Sequence, residues 1–203
     1  MKIGIIAEDE SDVAVLKVLT LRLIDPHRIG FSRFVGDGCG KLRRKCHAWA
    51  NILVQQGCPW IVVAHDLDQY NEQDLRAALS EAVKAARPKA SVVLIPKREI
   101  EAWLLYDGAA IAGAFNERAT PRVPGDPETL VDPKRFLHDL IWRSYHKQYL
   151  NTVHNALIAS RIDLRRLRSS TSFAPHPPFA ATVKAMFEES DRKRRRKAGP
   201  KKR

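Results

Sequence analysis

The sequence predicts an α/β fold, a mostly parallel sheet flanked by helices with a helical C-terminal extension, and three observations carry that prediction. Apolar runs over residues 2–7 (KIGIIA), 60–64 (WIVVA) and 91–95 (SVVLI) have the length and composition of strands. WIVVA shows no alternation of apolar and polar residues, as in a strand buried on both faces. Between the runs lie stretches with helical apolar spacing, and strands that alternate with helices imply a parallel-rich sheet.

Taken in order, residues 2–7 lead into a helix marked by Val13, Leu16, Val18, Leu19, Leu21 and Leu23. A second short strand over residues 32–35 runs into GDGCGK, residues 36–41, and a helix over 41–56 carries Leu42, Trp49, Ile52 and Leu53. WIVVA ends in His65-Asp66-Leu67-Asp68, and a helix follows over residues 71–86 until Arg87-Pro88 stops it. After SVVLI the spacing predicts a short amphipathic helix over 98–106. The Pro- and Gly-rich stretch 120–132 reads as a loop, followed by helices over 133–142, 149–161 and 179–188. The expected organisation is a core over 1–115, a helical extension over 116–188 packed on it, and a basic disordered tail over 189–203. There is no internal repeat.

The 203 residues, 44% of them apolar, suit one well-buried domain with an appendage. The N-terminus lacks the apolar core of a signal peptide, and Cys39, Cys46 and Cys58 form neither a CxxC pair nor an even set. A reduced, cytoplasmic setting is expected, with no membrane partner. The formal net charge is +12, yet Arg192 to Arg203 contribute nine Lys and Arg and no acid, which leaves 26 basic against 23 acidic residues elsewhere. The folded body is close to balanced, and the tail attracts any polyanion without specificity.

In an open α/β sheet, ligands gather outside the carboxyl ends of the strands. Three acidic clusters stand there: Glu8, Asp9 and Glu10; Asp66 and Asp68; Glu99 and Glu101. Carboxylate oxygens suit hard cations such as Mg²⁺, which needs only one or two of them beside water and substrate phosphate. Acids in such loops also cap helices, as Asp12 and Asp68 would. Converging carboxylates repel one another unless a cation lies among them.

The stretch IIAEDESD, followed by a helix and later by VVAHDLD at a strand end, resembles the Toprim signature of topoisomerases, primases, recombination proteins and OLD-type nucleases. The resemblance implies a Toprim-like, Rossmann-like core in which Glu8 is a general acid or base and Asp66 and Asp68 bind Mg²⁺ or Mn²⁺, with Glu8 completing the metal set. Many Toprim sequences have Gly after the Glu; here stands Asp9, so Glu8 and Glu10 both remain eligible, with Glu8 nearer the strand end. PKREIEAWLLYD and the later Ser170, Thr171, Ser172 and Phe173 are similar to small bacterial Toprim-like proteins. Such nucleases are often effectors of antiviral defence that work with an ATPase partner.

The leading expectation is therefore metal-dependent phosphodiester hydrolysis of DNA or RNA, with Glu8, Glu101 and Lys147 as catalytic residues and Glu8, Asp66 and Asp68 on the metal. Lys134 and Arg135 are further cations of the second half able to steady a phosphate. His65 is expected to be tucked at a buried strand end, and Trp103 and Leu104 to pack on the sheet while Glu101 points at the site. GDGCGK lacks the Lys-Ser/Thr pair of a P-loop and reads as a turn. The competing expectation is a nucleic-acid-binding or partner-docking module that cleaves nothing; a primase-type nucleotidyl transferase is a weaker third.

Overall fold

The computed structural model describes residues 2–24, 29–36 and 38–197. Four parallel strands, β1 (Lys2–Ala7), β2 (Gly30–Val35), β3 (Trp60–Ala64) and β4 (Ala90–Leu94), form one sheet in the order β2-β1-β3-β4. The protein is thus α/β and Rossmann-like. From β1 the chain moves outward to β2, then returns past β1 to β3, so the crevice between β1 and β3 is the topological switch point.

Side chains of each strand alternate between two cores, because successive Cβ atoms point to opposite sheet faces. Ile3, Ile5, Trp60, Val62, Val92 and Leu94 join α1 (Glu10–Ile24) on one face. Ile6, Ile61, Val63 and Val93 face α2 (Cys39–Gln55) and α3 (Glu72–Lys84) on the other. Helix α2 packs so closely that a Cβ at Gly4 would stand 2.9 Å from Leu53 Cδ1. The GDGCGK turn serves to start α2: Gly38 is its N-cap at φ 116°, a conformation that favours glycine. Asp37 lies outside the described residues.

The expected helix over 98–106 is shorter, α4 (Glu101–Leu104), and is followed by α5 (Gly108–Ala114), which the sequence reading missed. GAAIAGA has no polar face to give a helical period; the Asp107 carboxylate starts it by accepting the N–H groups of Ala109 and Ala110. The loop over 120–132 contains one 3-10 turn, Pro127–Thr129. Beyond it come α6 (Pro133–Tyr145), α7 (Asn151–Arg161), the short α8 (Leu164–Leu167) and α9 (His176–Lys197). Their apolar faces enter the α1 core: Leu137, Ile141, Ile158, Leu167 and Val183 are each fully buried in it. Helix α9 begins earlier than expected and continues to Lys197; 198–203, the rest of the expected tail, lie outside the described residues. No helix among the described residues is long and apolar enough to cross a membrane. Cys46 and Cys58 are buried free thiols.

Candidate carboxylate site

Because β1 and β3 are parallel neighbours, the residues that follow them emerge side by side. Glu8 Oε1 accepts the Asp66 N–H at 2.9 Å and lies 3.2 Å from His65 Nδ1. The same ring nitrogen lies 2.6 Å from the Asp66 carbonyl, which can only accept, so Nδ1 carries the proton. His65 is fully buried at the end of β3, as expected, and it fixes the orientation of Glu8. Burial pushes the Glu8 carboxyl up; the Asp66 N–H and His65 work against that, while Asp68 and Asp9 add to it. Glu10, the alternative to Glu8, turns away: both its oxygens bind Arg33 Nε in an exposed pair.

Asp66 keeps some exposed surface but stands deep among like charges. Burial first, then Asp12, Glu8, Glu101 and Asp68 in turn, hold its carboxyl well above the usual range. Asp12 shares this environment, held high by burial, Asp9 and Glu101. It also does what an acid three residues into a helix does: Asp9 N–H donates to Asp12 Oδ2 at 3.2 Å while Asp12 N–H donates to Asp9 Oδ1 at 2.9 Å. Asp68 is exposed at φ 46°, a left-handed conformation that Asp tolerates, and it lines a cleft of about 590 Å³ with Gln69, Tyr70 and Arg98.

Glu101 is 4% exposed and reaches the cluster from α4. Its Oε1 accepts Asn155 Nδ2 at 3.0 Å and lies 3.2 Å from the Tyr149 hydroxyl, which also bonds Asn155 Oδ1. Asn155 Nδ2 continues to Ser11 Oγ at 2.8 Å, so α7 is tied to α4 and α1 by one buried amide. Burial and Glu101 push the Tyr149 phenol up, which keeps it a donor. Glu99 instead accepts the Lys134 N–H at 2.9 Å, at the start of α6. Lys147 is engaged elsewhere, with its ammonium 2.6 Å from Glu117 Oε1 and 2.7 Å from the Phe115 carbonyl.

Trp103 and Leu104 are fully buried, and the Trp103 indole donates to Ser172 Oγ at 2.7 Å. Behind Ser172 stands Glu128, whose carboxylate accepts the hydroxyls of Ser170, Thr171 and Ser172 and the N–H groups of Thr171 and Ser172. Burial pushes the Glu128 carboxyl up, but the donors of Ser172, Ser170 and Thr171 outweigh it and hold the carboxyl below its ordinary value. The Ser-Thr-Ser-Phe segment is thus a buttress beneath the Glu101 helix.

The structure therefore gathers Glu8, Asp66, Asp68 and Glu101, adds Asp12, and gives Lys147 other partners. Sequence reasoning missed Asp12 as a cluster member, and missed Tyr149, Asn155 and Glu128. Asn155 left one signal, a polar residue on the inward face of α7. Among the described residues, no three His, Cys, Asp or Glu side chains close on a single point as a ready-made metal cage.

A family model described as a domain of unknown function, DUF4276, matches residues 39–175. The chain belongs to the DUF4276 family. The DUF4276 match takes in Asp66, Asp68, Glu101, Glu128, Tyr149, Asn155 and the Ser170–Phe173 buttress, while Glu8 and Asp12 precede it. No curated protein and no solved structure matches the chain.

Proposed function

We propose that this protein is a divalent-metal-dependent nuclease of Toprim type that hydrolyses phosphodiester bonds in DNA or RNA. The observation that carries the reading is the convergence of Glu8, Asp12, Asp66, Asp68 and Glu101 at the switch point, where the strongest electrostatic influences on Asp66 are all carboxylates. Negative charge so concentrated is relieved by a cation. The donors are hard oxygens, which suits Mg²⁺ or Mn²⁺ over softer metals. Mg²⁺ needs only one or two carboxylates together with waters and substrate oxygens, fewer than a closed cage supplies.

In this reading Asp66 and Asp68 would hold the cation, which would supply Lewis acidity toward a phosphate oxygen. Glu8, oriented by the Asp66 N–H and His65, takes the proton from the attacking water, and its upward-shifted carboxyl is better matched to that task than an ordinary one. Glu101, fixed by Asn155 and Tyr149, completes the acidic wall. Arg98, which lines the same cleft as Asp68, supplies the phosphate-steadying charge, since Lys147 is held by Glu117. An ATPase partner belongs to the same reading through the OLD-type resemblance.

The test is cleavage of single- and double-stranded DNA and RNA in Mg²⁺, Mn²⁺ or chelator. Cleavage is expected only with metal, and Glu8→Gln should lower it by about 10²–10⁴-fold with the fold intact. Retained activity in that variant transfers the proton-accepting role to Glu101. Wild-type protein that cleaves nothing with either metal contradicts the reading and favours a non-catalytic nucleic-acid-binding module, which the net charge of +12 also suits.

A further inference from the structure

Of the four tryptophans, Trp49, Trp60 and Trp103 are 9%, 8% and 0% exposed, whereas Trp142 is 55% exposed. A singly exposed apolar residue is ordinary by itself, so the residues that surround Trp142 decide its use. Trp142 stands on the outer face of α6, where Arg135, His138, Trp142 and His146 recur at intervals of three and four residues, and all four are exposed. His146 packs edge-on against the indole, with ring centroids 6.0 Å apart. Helix α6 carries Lys134, Arg135 and Arg143 against one acid, Asp139. Asp139 holds Arg135 loosely, at 3.9 Å, and contacts His138 at 3.1 Å.

The basic end of this stripe opens into a cleft of about 430 Å³ whose lining includes Lys134, Arg135, His138 and Tyr149. Tyr149 is also the residue whose hydroxyl meets Glu101, so the cleft abuts the carboxylate site. Glu99 and Asp132 line it as well, each accepting an N–H at the start of α6, from Lys134 and Arg135 respectively, so two cations and two carboxylates share this cleft. At 1.5 Å per residue, Arg135 and Trp142 are separated by about 10 Å along the helix, on the order of one to two nucleotides of extended strand.

We propose that the outer face of α6 is a track for single-stranded nucleic acid, with Trp142 stacking on a base and Lys134, Arg135 and His138 holding backbone phosphates beside the carboxylate site. The track rests on the nuclease reading for its purpose, but its chemistry stands apart: an exposed aromatic plus cations is what binds a single strand without regard to sequence. A duplex keeps its bases stacked on each other and offers the indole no free face.

Trp142 is itself the reporter, since the other three indoles are shielded. In chelator, which stops metal-dependent cleavage, oligothymidylate should quench the intrinsic fluorescence of the wild-type protein, and a duplex of the same length should not. Trp142→Phe should abolish the quenching, and Trp142→Ala should weaken binding, followed by polarisation of a labelled oligonucleotide, about tenfold. Arg135→Ala should reduce the log-log salt slope of binding by about 0.7, the value for one contact to a single strand. Equal quenching by duplex, unchanged affinity of Trp142→Ala, or quenching only by an apolar peptide would each overturn the track. Metal-dependent cleavage that persists alongside such a result would leave the nuclease reading standing. Quenching without cleavage under any metal would support the track and sink the nuclease.

Discussion

Asp66 and Glu128 are two shielded carboxyls that the protein treats in opposite ways. Glu128 collects hydroxyl and N–H donors until its charge is stabilised; Asp66 collects other carboxylates. A group whose pKa is raised in the folded state holds its proton there longer than in the unfolded chain. The stability it contributes at low pH is lost as pH rises through the raised value. Asp66, like Asp12, rises from an ordinary 3.8, so both burden the metal-free protein at neutral pH. Asp66→Asn should therefore raise the melting temperature of the metal-free protein at neutral pH by roughly 2–4 °C, the equivalent of about 1 kcal/mol in a chain of this size. The advantage should shrink as pH falls toward 4. Buried His176, pushed down to about 3, has the opposite sign, and its stability is lost as pH falls below 6.5. Comparing variant with wild type at each pH cancels that contribution. A variant less stable than wild type at neutral pH would mean that Asp66 makes favourable contacts which outweigh its repulsion.

Helix α7 lies far along the chain from the acidic motifs yet fixes one of them, through Asn155 and Tyr149 on Glu101. Asn155→Leu removes the amide donor to the buried Glu101 carboxylate and to Ser11 Oγ, while the Tyr149 hydroxyl keeps Glu101 and the Ser11 hydroxyl keeps the Asn151 carbonyl, a cost of about 1–3 kcal/mol. Beyond that loss of stability, kcat should fall with KM little changed, because Glu101 loses its orientation while substrate contacts remain. A change confined to melting temperature would make Asn155 a purely structural residue. The strands and the helices with a polar face were legible in the sequence because WIVVA and its fellows are continuous apolar runs and α3 has a clear period. Helix α5 was illegible because GAAIAGA is apolar all round, and α4 was overextended because Trp103, Leu104 and Tyr106 keep helical spacing past its end. Glu8, Asp66, Asp68 and Glu101 were legible because they directly follow strands or lie just beyond one. Asn155 and Glu128 act only through contacts made across long stretches of chain, and no local pattern announces those.

Over the whole molecule, nine of the 35 Lys and Arg lie from Arg192 onward. Attraction by such a segment is sequence-independent and salt-sensitive. Removing residues 192–203 should flatten the salt dependence of nucleic-acid affinity by about 0.9 per lost contact on duplex, while cleavage at saturating substrate stays unchanged. Lost cleavage at saturation would place the basic segment in the reaction itself. In the α/β body, by contrast, parallel β1 and β3 bring Glu8 and Asp66 within one hydrogen bond of each other at the switch point. The claim on which the account turns is that this crevice binds a divalent cation. Calorimetric titration of wild type and Asp66→Ala with Mn²⁺ tests it most directly: saturable binding to wild type and its loss in the variant is the predicted result, and equal affinity in the two proteins would contradict it.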